Sequence, residues 1–161
     1  MPFSQKYLNK LPNSRLRTIE NEYAKNMNVA LAYIDDDKDA LGILIPFKGD
    51  NRLLVAIRSD EQGFLISTVA KGTIEDEGAL NATLPRINEL NSRFKRGHFY
   101  ITKESGLIFE TFLHCSDEGS VPSTDLFKEL KLGYQMFELH VDEIAQIIKE
   151  NMTADEYVIK E

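Results

Sequence analysis

Leu84 to Ile101 reads LPRINELNSRFKRGHFYI, and its pattern changes period halfway along. Ile87, Leu90, Asn91 and Phe94 recur at helical spacing, Lys95 and Arg96 sit where a helix C-terminus favours cations, and Gly97 suits a left-handed residue that ends a helix. His98-Phe99-Tyr100-Ile101 then reads as extended chain. Asn88 and Asn91 are polar amides on or beside the apolar face, and hydrogen bonds to backbone at the corner would fix how helix meets strand. A helix that turns directly into a strand in this way points to an α+β domain.

Upstream of this corner three short apolar runs follow one another, Leu41 to Phe47, Leu53 to Ser59 and Gly63 to Val69. The intervening Lys48-Gly49-Asp50-Asn51 and Asp60-Glu61-Gln62 are of hairpin length, so an antiparallel meander is expected. Pro46 cannot donate to a ladder, which places the first run at an edge or ends it there. Earlier still, Leu16, Ile19, Tyr23 and Met27 predict a helix over 14–27, and Val29 to Ile34 is an apolar connector with strand character. The helix of the corner either kinks at Pro85 or begins there.

Downstream, His98 to Ile101 and Leu107 to His114 form a second hairpin around Thr102-Lys103-Glu104-Ser105-Gly106. Pro122 and Ser123 open the last helix, along which Leu126, Leu130, Tyr134, Phe137, Val141, Ile144 and Ile148 recur every three or four residues. Gly133 is a point where that helix can bend. Phe127, Met136, Leu139 and Ile147 widen its apolar face beyond what one small sheet requires, as a second surface or a second subunit would demand.

The 161 residues suffice for one domain with a real core, because about 70% of the unfolded surface can be buried at this size. Residues 1–12 read as an N-terminal arm, 13–151 as the core and 152–161 as an acidic tail. Nineteen basic and 26 acidic residues give −7, which argues against broad binding to nucleic acid or an anionic membrane. The lone Cys115 forms no internal disulfide, the N-terminus lacks a signal-peptide pattern, and no run of about 18 apolar residues occurs, so a cytoplasmic protein with no membrane span is expected.

Chemistry is harder to find. Asp35, Asp37 and Asp39 begin like a calcium loop, but Ala40 replaces the required glycine and Pro46 the closing glutamate, leaving a solvated acidic loop. His114 and Cys115 are adjacent on a strand and face opposite ways, and His98 and His140 have no ligand-spaced neighbours. No phosphate-cradling loop, dinucleotide turn or nucleophile elbow is present, so no catalytic residue, cofactor or metal is expected. Charge is more informative. Residues 84–103 carry Arg86, Arg93, Lys95, Arg96 and Lys103 against Glu89, a balance of +4 that leaves −11 for the rest. Such contrast fits a docking patch for an acidic peptide or, with Phe99 and Tyr100 as stacking rings, a nucleic acid; it also fits a cationic helix end.

The order helix, three-strand meander, helix, two-strand hairpin, long helix resembles the class I type III secretion chaperone-like fold. Within it, Ile87-Asn88-Glu89-Leu90-Asn91, the closing Gly97-His98-Phe99 and the later long helix resemble the YbjN-like family of bacterial proteins, over roughly Asn13 to Asn151. That family is described as regulators of sensory transduction, and the secretion chaperones are small acidic homodimers that hold partner polypeptides. The resemblance implies a non-enzymatic, homodimeric protein-binding module, chaperone-like or regulatory, with nucleic-acid or anionic-partner binding through Arg93–Arg96 as the alternative. Arg86, Arg93, Lys95, Arg96, Phe127, Met136 and Leu139 are the expected partner-binding residues, and Asn88, Asn91 and Gly97 the structural ones.

Overall fold

A computed structural model describes residues 31–33, 40–59, 63–114 and 123–152. In chain order these form β1 (Leu31–Tyr33), β2 (Ala40–Phe47), β3 (Asn51–Ser59), β4 (Gly63–Lys71), α1 (Glu77–Arg93), β5 (His98–Thr102), β6 (Gly106–His114) and α2 (Ser123–Glu150). The protein is α+β, with one antiparallel sheet ordered β1-β2-β3-β4-β6-β5. The meander and the second hairpin stand as the sequence predicts, and the connector before residue 34 supplies the short strand β1. The predicted helix over 14–27 and the acidic loop at 35–39 lie outside the described residues.

Alternation explains the sheet's two faces. Leu41, Ile43 and Phe47 of β2 share a face with Leu53, Val55 and Ile57 of β3, Phe64 and Ile66 of β4, Phe109 of β6 and Phe99 of β5, and all are buried. On this face Leu126 and Leu130 of α2 cover the β2–β4 end, while Phe137 and Ile144 of α2 and Ile87 and Leu90 of α1 cover the β5–β6 end. Among the described residues β1 pairs only with Leu41 to Ile43, and Pro46 lies beyond that pairing.

Of the two alternatives at Pro85, α1 does not begin there; it runs through Pro85 from the N-cap Asp76, whose side chain accepts from the Ala79 N–H at 3.1 Å. Pro85 and Asn81 are both exposed, so the carbonyl that loses its donor can turn to water. One local expectation is corrected: Gly97 does not end the helix. Phe94 is the C-cap in extended conformation, and Lys95 and Arg96 form a bend beyond it. α2 is continuous through Gly133; a Cβ there would strike the Thr68 side chain, so glycine allows α2 to lie close against β4.

Candidate functional site

The corner between α1 and β5 is held from inside. The Asn91 side chain donates to the Phe99 carbonyl at 2.8 Å and accepts from the Phe99 N–H at 2.7 Å. Phe99 lies opposite Phe109 in the β5–β6 ladder, and its polar groups face away from β6, so one amide completes the outer edge of the strand as a neighbouring strand would. Gly97 has φ +74°, and a Cβ there would lie 2.5 Å from Phe109 Cζ and 2.8 Å from Thr111 Cγ2. Phe94, Phe99 and Phe109 then interlock, with ring centroids 5.0–5.9 Å apart. Asn88, by contrast, is exposed on α1 and takes no part in this joint.

With the corner fixed, the chain from Arg93 to Arg96 faces one stripe of α2. Lys128, Lys131, Leu132, Gln135 and Met136 recur at helical spacing there, and together with Arg93, Phe94, Lys95 and Arg96 they line an open groove of about 500 Å³. Phe94, Leu132 and Met136 are half-buried and make its floor, while the five cations are exposed and make its rim. Arg93 is partly neutralised by Glu89 at 2.7 Å. Arg96 reaches down to Glu129, a carboxylate only 1% exposed, whose Oε2 has no hydrogen-bond partner among the described residues. Lys95, Lys128 and Lys131 form no ion pair among the described residues. The groove is thus an apolar trough ringed by cations in a chain of net charge −7, a local potential opposite in sign to that of the whole.

Of the predicted partner-binding residues, the groove gathers Arg93, Lys95, Arg96 and Met136. Arg86 lies elsewhere: it bridges α1 to α2 through Glu143 and holds Glu89 at 3.0 Å. These bonds, to Glu143 first, raise its pKa above the ordinary guanidinium value. Phe127 and Leu139 are exposed but do not line the groove. Twelve residues apart, they point about a third of a turn away from each other and make no common patch. Met136 packs against the core, so much of the excess apolar width of α2 is spent on α1 and the groove floor. Lys128, Lys131 and Leu132 escaped the sequence reading because they lie some 35 residues downstream of the corner, in a run where acids alternate with bases.

The opposite sheet face carries a hydrogen-bond cluster. The hydroxyls of Tyr100 and Ser67 both donate to Glu110 Oε2, at 3.1 and 3.3 Å, and His98 Nε2 lies 3.9 Å from Glu110 Oε1. Burial, then the charge of Glu110, raises the Tyr100 pKa above its ordinary value. The serine proton points to the carboxylate rather than to the histidine, so no nucleophile and base are paired. Phe99 is 1% exposed and Tyr100 is engaged on this far face, which removes both as stacking rings beside the cations. No group of three or more His, Cys, Asp or Glu with metal-binding geometry occurs among the described residues, nor is any of their helices long and apolar enough to cross a membrane. The chain matches no protein-family model, no curated protein and no solved structure.

Proposed function

We propose that this protein is a non-enzymatic protein-binding module, chaperone-like or regulatory, that seats an acidic segment of a partner polypeptide in the groove between the α1–β5 corner and α2. The carrying observation is the ring of Lys95, Lys128 and Lys131, without an ion pair among the described residues, around the apolar floor of Phe94, Leu132 and Met136. The resemblance of the chain to YbjN-like proteins and to class I secretion chaperones supports the same reading, and a cytoplasmic homodimer belongs with it. A nucleic acid is the poorer guest, because the floor is aliphatic in part and the neighbouring rings are buried or turned away.

Titrating a labelled peptide that alternates glutamates with aromatic and aliphatic residues tests this by fluorescence anisotropy. Saturable binding is expected, weakened about tenfold in the Lys128→Glu/Lys131→Glu variant, since two screened ion pairs are each worth up to about 1 kcal/mol. An unchanged affinity in that variant, or tighter binding of a random-sequence single-stranded DNA or RNA pool than of the peptide, overturns the proposal.

A further inference from the structure

β6 outruns its neighbour at one corner of the sheet. β5 begins at His98, opposite Glu110, whereas β6 continues to His114, and the chain before β5 bends away at Lys95 and Arg96. A cavity of about 260 Å³ opens in this corner, walled by Leu65, Gly97, His98, Glu110 and Phe112. Leu65 and Phe112 stand directly opposite each other in the β4–β6 ladder, on the same sheet face as Glu110, and give the cavity an apolar side.

Glu110 gives it a charge. The Tyr100 and Ser67 hydroxyls both donate to Oε2 of this carboxylate, which leaves Oε1 as an open acceptor. Among the described residues only His98 brings a basic nitrogen near it, at 3.9 Å and beyond hydrogen-bond reach. The Arg96 guanidinium is turned to Glu129, and Arg58 stands on β3, two strands away. The backbone adds a second acceptor. Because Phe99 turns its polar groups away from β6, those of Glu110 face β5, and those of Phe112, two residues on, face the corner, where no described strand meets them.

A guanidinium presents its donors as a fork to both oxygens of a carboxylate, and Oε2 is already engaged; an ammonium needs only one oxygen and has donors to spare for a carbonyl. We propose that this corner binds a primary ammonium carried on a small apolar body, the charged group meeting Glu110 Oε1 and the Phe112 carbonyl while the body lies against Leu65 and Phe112. The volume is below the roughly 300–1,000 Å³ of sites for drug-sized ligands, so the guest is smaller than those. The corner shares only Arg96 with the groove, and the inference does not rest on the polypeptide-binding reading.

Titration of benzylammonium into the ¹⁵N-labelled full chain, followed by amide NMR, tests it. Saturable shifts centred on His98, Glu110 and Phe112 are expected, with benzyl alcohol, a neutral molecule of the same shape, about tenfold weaker or more. Glu110→Gln keeps the shape of the side chain and is expected to weaken benzylammonium about tenfold while leaving benzyl alcohol unchanged, a contrast that a mere loss of folding does not produce. Nα-acetyl-lysine methylamide presents the same group as a polypeptide would, and whichever amine binds more tightly names the source of the ligand. Absence of saturable shifts with both amines, equal affinity for amine and alcohol, or a Glu110→Gln variant that binds benzylammonium as the wild type does overturns the inference.

Discussion

At the scale of single residues, Asn91 and Gly97 carry the corner, and both are testable by urea denaturation. Asn91→Ala leaves the N–H and C=O of Phe99 without partners at the edge of β5, and a cost of about 2 kcal/mol is expected from two lost hydrogen bonds beside a buried ring. A midpoint unchanged from wild type would show that water replaces the amide at no cost. Gly97→Ala combines a left-handed φ with a Cβ pressed onto Phe109 and Thr111, and a loss of at least about 2 kcal/mol follows. Both residues were legible in the sequence because each breaks a local rule: an amide on an apolar stripe, a glycine where helix yields to strand. Glu129 was not legible. Flanked by Lys128 and Lys131, it has the local pattern of a solvated carboxylate, and only packing of α2 on the sheet reveals it as buried.

At the scale of elements, the strands were readable because alternation and turn residues are local, whereas boundaries settled by packing were not. The end of α1 is the clear case. Gly97 takes the left-handed conformation expected of it, yet the helix stops three residues earlier, where Phe94 leaves the helical path to join the cluster of Phe99 and Phe109. Its neighbour Arg96 then reaches Glu129 and ties the corner to α2. Because Glu129 is 1% exposed, Arg96→Met strands a charge in the interior, and breaking a buried pair from one side typically costs about 3 kcal/mol. Arg96→Met/Glu129→Leu removes the charge as well, so the double variant is expected to be more stable than Arg96→Met alone. Chemical denaturation of the three proteins decides it. If the single and double variants are equally destabilised, the carboxylate is solvated once its partner is gone, and the pair holds no buried charge.

At the scale of the whole molecule, the groove illustrates what a linear reading misses: half of its rim lies on α1 and the bend after it, half on α2, and only their packing adds the charges together. The same packing governs a pH response centred on His140. Its ring lies 6.0 Å from those of both Phe94 and Phe99, and its Nδ1 lies 3.9 Å from Glu143, which also holds Arg86. Burial is the main cause that lowers its pKa below the ordinary histidine value; Glu143 opposes the shift and Arg86 adds to it. A histidine whose folded pKa is depressed binds protons more readily when unfolded, so its contribution to stability is complete above about pH 6.5 and is lost as pH falls from there toward the folded value. His140→Phe keeps a ring in the cluster and removes the proton site. Urea midpoints measured at intervals from pH 7.5 to pH 5.5 should therefore fall more steeply in the wild type than in the variant, most of the difference arising below pH 6.5. Parallel curves for the two proteins would assign the acid sensitivity of this helix interface to its carboxylates instead of to His140.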